Sequence, residues 1–163
     1  MTAMSAIPTA KAVKDLLEGL LGRTVEVTGA EPAGTADLAT AFVASYVDDS
    51  LRLSAVAALD LSLAAYVGAA IGLVPLGGAA ACIRDGELSP MLAENVGEVC
   101  NVLTTLLNQD GAAHQRLYRV HRPGQQAPAD VGRQLVALGA RLDLDVRVAG
   151  YGAGRLWLSL AAS

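Results

Sequence analysis

Residues Ser89 to Asp110 read SPMLAENVGEVCNVLTTLLNQD, and the two faces of this stretch decide the rest. Ser89-Pro90 is a helix start, a capping residue followed by proline at the first helical position. Asp110-Gly111 is a stop, with glycine just past the end. Leu92, Val96, Val99, Leu103 and Leu106 recur every three or four residues, and Cys100 and Leu107 widen that apolar face. The spacing predicts one continuous amphipathic helix over Leu88–Asn108, of about five to six turns. Its other face carries Glu94, Glu98, Asn101, Thr105 and Asn108, which at roughly 100° per residue share an arc of about 80°. That stripe holds carboxylates and carboxamides, and the helix has no Lys or Arg. A solvated face ordinarily mixes both signs, because oppositely charged pairs four residues apart stabilise a helix.

Composition bounds what such a helix can serve. A chain of 163 residues suffices for one well-buried domain, taken here as 1–163 with a short N-terminal helix over 8–22. It is 53% hydrophobic but only 4% aromatic, so the core is expected to be Ala, Leu and Val packed closely, without large rings. A net charge of −4 argues against nucleic acid or an anionic membrane as partner. Cys82 and Cys100 are too far apart for a CxxC clip and sit among apolar neighbours, which reads as two buried thiols suited to a reducing cytoplasm. The N-terminal MTAMSAIPTAKAVKDLL lacks the basic-then-apolar order of a secretory signal. The apolar run Leu61–Leu76 follows Asp60 and ends beyond a proline, too short for a membrane span, and reads as a buried helix.

The flanking elements follow from the same patterns. Pro8–Leu21 is an amphipathic helix closed by Gly22, and Arg23–Thr28 an alternating strand. Glu31–Asp37 is a loop. Leu38–Val47 and Leu51–Leu59 are two strands joined through Asp48-Asp49-Ser50 as a hairpin. Asp60–Val74 is a helix with Ala64, Gly68 and Gly72 at four-residue steps, which lets another element approach closely. Ala79–Asp85 is a helical turn or two before Gly86. Gln115–His121 alternates as a strand, Arg122–Pro128 is a loop, and Asp130–Leu142 is a short helix with Val131, Leu135, Leu138 and Leu142 on one face. Asp143–Ala149 and Arg155–Ala161 close the chain as a hairpin around a glycine-rich turn. Two antiparallel groups of strands with helices between them, and no βαβ repeat, give an α+β fold, a mostly antiparallel sheet packed with two long helices.

Several residue groups invite chemistry and fail on geometry. Gly150–Gly154 lacks the following Lys-Ser/Thr and helix start of a phosphate loop. His114 and His121, seven apart on a strand, face opposite ways. Asp48 and Asp49 belong to a turn, and Asp60 precedes a helix it can cap. Glu98 and Asn101 differ, because a spacing of three on a helix sets them side by side in Gly97-Glu98-Val99-Cys100-Asn101, with Pro123 following after twenty-one intervening residues.

This arrangement resembles the signature of the CheC/CheX-type chemotaxis phosphatases: an acidic residue, two residues, asparagine, and a proline about twenty-two residues on. Glu98, Asn101 and Pro123 match it with the proline one residue short, and GEVCNVL is similar to the family's GE-x-x-N segment. Two positions depart: Glu94 stands where the family has Asp or Ser, and Thr105 where it often has glycine. A single copy of the motif is similar to the shorter CheX-like members. The resemblance implies a CheX-like fold, a cytoplasmic setting, a homodimer, and a phosphorylated response-regulator receiver domain as partner. It also implies the roles. Asn101 would position the attacking water, Glu98 would pair with the receiver's active-site lysine, and Glu94, Thr105 and Asn108 would contact the partner. No metal or cofactor is required on this chain, since the receiver carries the Mg²⁺. Two readings stay open: a phosphatase of receiver aspartyl phosphate, or a docking module binding a receiver or a flagellar-switch-like partner without hydrolysis.

Overall fold

A computed structural model describes residues 7–109 and 113–162 of the chain, so the stop signal read at Asp110-Gly111 lies outside the described residues. Six strands form one sheet: β1 (Val25–Gly29), β2 (Phe42–Asp48), β3 (Leu53–Leu59), β4 (Gln115–His121), β5 (Arg141–Val148) and β6 (Gly152–Leu160). Their order is β1-β5-β6-β3-β2-β4, and every neighbouring pair is antiparallel. The helices are α1 (Ala10–Leu21), α2 (Leu61–Ile71), α3 (Leu76–Asp85), α4 (Pro90–Val102), α5 (Thr104–Leu107) and α6 (Ala129–Val136), with a 3₁₀ turn at Thr35–Ala39. The fold is α+β, as the alternation of the strands and the absence of βαβ order imply.

Period-two alternation sorts the strand side chains onto two faces. Phe42, Ala44 and Tyr46 of β2, Ala55, Ala57 and Leu59 of β3, and Leu156 and Leu158 of β6 join the main core beneath α1, α2 and α4. The intervening Val43, Val56, Ala58 and Trp157 meet Val131 and Leu135 of α6 on the opposite face. The expectation of a core without large rings is corrected: Trp157, Tyr46 and Phe42 are the largest fully buried side chains. Alanine makes room for two of them, since Ala55 is the register partner of Tyr46 and Ala58 that of Trp157.

The small residues of α2 serve two approaches. A Cβ added at Gly68 would meet the Leu92 carbonyl oxygen at 2.8 Å, and one at Gly72 the Asn95 amide at 3.0 Å. The helices α2 and α4 therefore run side by side in the same direction. On the sheet side, β6 supplies the glycine: a Cβ at Gly154 would meet the Asp60 carboxylate and the Leu63 nitrogen. Gly152 and Gly154 thus belong to a strand packed under α2, and only Gly150, at φ 84°, serves the turn.

The helix read over Asp130–Leu142 is also corrected. It ends at Val136; Leu138 is exposed, and Leu142 belongs to β5. Arg141 causes the stop, donating to the carbonyls of Leu135 and Ala137 at 3.0 and 2.6 Å while its other nitrogens hold Asp143 at 2.8 and 2.9 Å. These bonds satisfy the last-turn carbonyls that a longer helix would have used.

Candidate functional site

Ser89 caps α4 by accepting from the Leu92 amide, and Pro90 occupies the first turn. Leu92, Ala93, Val96, Val99 and Cys100 are buried. That orientation leaves Glu94, Glu98 and Asn101 exposed on the outer face. Asn95, on the flank between the two faces, donates its amide to the Gly68 carbonyl at 2.9 Å and ties α4 to α2. Sequence reasoning missed that role; the signal was an amide beside the two glycines of α2.

The expected continuous helix is broken, though at Leu103 rather than at Gly97. Three successive carbonyls explain where. Tyr46, reaching from β2, donates its hydroxyl to the Cys100 carbonyl at 2.5 Å. Thr104 donates to the Asn101 carbonyl, and Thr105 to the Val102 carbonyl at 2.9 Å. Hydroxyls thus occupy carbonyls that the i→i+4 ladder would otherwise claim, and the chain tightens through a Leu106 N–H to Leu103 carbonyl bond of 3.0 Å. The pair Thr104-Thr105 was the available signal.

Beyond the break, the remaining stripe positions are engaged at home. The Thr105 hydroxyl is exposed but spent on its own helix. Asn108, also exposed, clasps the start of β4: its amide donates to the Gln115 carbonyl and its oxygen accepts the Gln115 N–H, both at 2.7 Å. Glu94, Glu98 and Asn101 have no side-chain partner among the described residues, so their hydrogen-bonding capacity faces outward. Pro123 is buried past the end of β4. Cys100 lies over Tyr46, whose register partner is Leu117. Pro123 lies six residues further along the chain, two past the end of β4.

The other candidate groups serve the fold. Asp60 caps α2 at the Leu63 amide, and Asp48 accepts from the amides of Ser50 and Arg52 within the hairpin turn. Asp49 meets His114 at 3.0 Å; His114 precedes β4, correcting its placement on that strand, and His121 is half-buried. Burial pushes the Cys100 thiol up to about 12, so it stays protonated and inert. No cluster of three or more His, Cys, Asp or Glu side chains able to hold a metal occurs among the described residues. No helix among them is long and apolar enough to cross a membrane.

An antiparallel six-stranded sheet carrying paired helices is a fold that solved structures share. No protein-family model and no curated protein matches the chain. Among solved structures, the chemotaxis protein CheX from Vibrio vulnificus shares the fold with a TM-score of 0.57 and 11% identity, over 93% of this chain and 95% of that one. A chemotactic CheC-like protein from Shewanella oneidensis MR-1 aligns at 0.54 and 14% identity, over 94% and 95%. The FliM middle domain from H. pylori aligns at 0.60 and 7%, over 93% of this chain and 84% of that one. The CheX-like fold expected from the sequence is thus the fold observed.

Proposed function

We propose that this chain docks on a phosphorylated receiver domain through the outer face of α4 and accelerates loss of its aspartyl phosphate. The observation that carries the reading is the Glu98/Asn101 pair: adjacent, exposed, and without side-chain partners among the described residues, on a helix whose backbone is locked from both sides. Hydrolysis of an acyl phosphate asks little covalent chemistry of a protein, because positioning and electrostatics dominate phosphoryl transfer. The Asn101 carboxamide can hold a water in line without adding charge beside an anionic phosphoryl group. The water oxygen bonds to phosphorus as the bond from phosphorus to the aspartate oxygen breaks. Inorganic phosphate and a free carboxylate result, and the water's proton leaves with the phosphate or to solvent. Glu98, one turn earlier, forms a charge-assisted contact with the receiver's lysine and fixes the register. The Mg²⁺ belongs to the receiver.

The test is the lifetime of a phosphorylated receiver with and without the protein. Asn101→Ala should remove most of the acceleration with the fold intact. An exposed polar residue away from caps changes stability by about 0.5 kcal/mol or less. Losing a transition-state contact of the oxyanion-hole kind costs about 2.7–4 kcal/mol, or 10²–10³ in rate. Glu98→Ala should weaken complex formation as well. A wild-type protein that binds the phosphorylated receiver without shortening its lifetime refutes the enzyme and leaves the docking module. That second reading draws on the FliM likeness: an H. pylori FliM solved in complex with FliG aligns with a TM-score of 0.58 at 10% identity.

A further inference from the structure

Helix α2 ends in a way its sequence does not favour. The Val74 N–H bonds to the Ala69 carbonyl at 2.8 Å and the Leu73 N–H to the Ala70 carbonyl at 3.3 Å, the paired closure that places one residue in the left-handed region. Glycine fills that position at the ends of α1 and α3, where Gly22 and Gly86 have φ of 66° and 77°. At the end of α2 it is Leu73, at φ 54°, with the glycine one residue early. Gly72 has its own constraint, the contact with Asn95. A leucine in this conformation is strained. Val74 is the half-buried side chain that packs against the helix, whereas Leu73 is 80% exposed. Leu51 carries similar strain at φ 63°, but it lines a small cavity with Tyr118 and Val131. The Leu73 side chain therefore costs stability and contributes little burial among the described residues.

Its position supplies a use. With Gly68 against Leu92 and Gly72 against Asn95, α2 ends beside the turn of α4 that carries Glu98. Around the α4 axis Asn95 lies about 60° from Glu98, and Met91 about 20° from it. Met91 is 49% exposed and Leu76, at the start of α3, 45%. No charged residue occurs from Leu61 to Ile83. Leu73, next to Gly72, and Met91 thus give the Glu98 edge of the polar stripe an uncharged apolar border.

We propose that Leu73 is the affinity-determining anchor of the receiver-docking surface, seated against an apolar side chain beside the partner's phosphorylated aspartate. This rests on the receiver reading of Glu98 and Asn101. The polar pair faces water in the free protein and gains little until water is excluded; an apolar rim on one side excludes it. An exposed leucine held in a strained conformation is expected where binding, rather than folding, uses it.

The test is titration of the full chain against receiver domains loaded with beryllofluoride and Mg²⁺, for wild type, Leu73→Asn and Leu73→Met, with melting curves. Asparagine tolerates the left-handed region and removes the apolar group; methionine keeps the apolar group and the strain. Leu73→Asn should weaken binding about tenfold or more with an unchanged or higher Tm, and Leu73→Met should bind within about threefold of wild type. Leu73→Gly gives the same answer should the asparagine variant fail to fold. Wild-type binding that survives Leu73→Asn or Leu73→Gly overturns the anchor and leaves the receiver reading standing. A Tm lowered by several degrees in both variants makes the leucine structural and overturns it too. A wild-type chain that binds none of the loaded receivers overturns the receiver reading and the anchor with it.

Discussion

Gly68→Ala and Gly97→Ala are the same chemical change in the middle of two helices, and the structure predicts opposite results. Intrinsic helix propensity favours alanine over glycine by about 0.8–1.0 kcal/mol at either site. At Gly97 no atom of the described residues lies within 4 Å of an added Cβ, so the gain is realised in full. At Gly68 the same atom meets the Leu92 carbonyl oxygen at 2.8 Å and the Leu92 Cα and Cβ at 3.2 Å. Backbone cannot rotate away as a side-chain tip can, so α4 must shift, and overpacking of this kind costs about 1–3 kcal/mol. Gly97→Ala should therefore stabilise by about 1 kcal/mol, a rise in Tm of about 2–4 °C for a chain of this size. Gly68→Ala should fall below it by about 1–3 kcal/mol. Urea unfolding with an unchanged m-value measures both. Gly68→Ala stabilised as much as Gly97→Ala would mean that α2 and α4 do not pack as described. The pair also bears on function, since Gly97 precedes Glu98: its alanine variant adds a methyl at the stripe's border without disturbing the core. Should receiver dephosphorylation slow in that variant alone, the partner's backbone approaches α4 there.

Three further outcomes follow from local geometry. Arg141 and Asp143 form a pair whose side chains are 8% and 9% exposed, so Arg141→Met should cost about 3–5 kcal/mol by leaving Asp143 buried and unpaired. Hydrogen exchange in α6 should quicken with it, and unchanged urea unfolding would refute the clamp. Asn108→Ala loses two 2.7 Å bonds to the Gln115 backbone, about 1–3 kcal/mol at 0.5–1.5 each, and loss of receiver binding without loss of stability would instead assign Asn108 to the partner. Burial, and secondarily the Arg119 charge, holds His121 below its ordinary value of 6.5, so the folded state favours neutral imidazole. The unfolded chain then binds the proton more readily, and this contribution is full above about pH 6.5 and fades as pH falls toward the lowered folded value. Urea unfolding from pH 5 to 8 should lose that slope in His121→Gln; parallel profiles would refute it.

The sequence carried the local signals well. Ser89-Pro90 starts α4 and Asp60 caps α2 as their types imply, and alternation located β4 to the residue. The polar stripe was legible because an amphipathic helix has only one way to bury its apolar face. The failures come from partners distant in the chain. Nothing near Cys100 says that a hydroxyl fifty-four residues away takes its carbonyl. Val131, Leu135, Leu138 and Leu142 obey helical spacing, yet Arg141 ends the helix from the strand that follows. The glycines at 152 and 154 suggested a loop because sequence alone does not show α2 lying over β6. At the site, residue types and spacing were legible; the private engagement of Thr105 and Asn108 was not, since helical spacing does not show which backbone groups a side chain will bind.

That break bears on how the stripe works. A catalyst that only positions a water loses its advantage when its own donor wanders, and a displacement of about 1 Å can cost 10²-fold. Asn101 is exposed, but the backbone beneath it is not free. The Tyr46 hydroxyl fastens the carbonyl of the preceding residue, Thr104 fastens its own, and Asn95 fixes the turn before it to α2. Tyr46 belongs to β2, so the carboxamide is referenced to the sheet rather than to one helix alone. Side chains three apart on a helix sit about 5–6 Å from each other at Cβ. In the receiver reading, a Glu98 carboxylate left unpaired at that range would repel the phosphoryl group set beside Asn101. In the receiver reading the pair is therefore conditional, with the partner's cation converting Glu98 from a repulsive neighbour into an anchor. A receiver domain whose active-site lysine is replaced by methionine should be bound less tightly by the wild-type chain than by Glu98→Ala, reversing their order on the intact receiver.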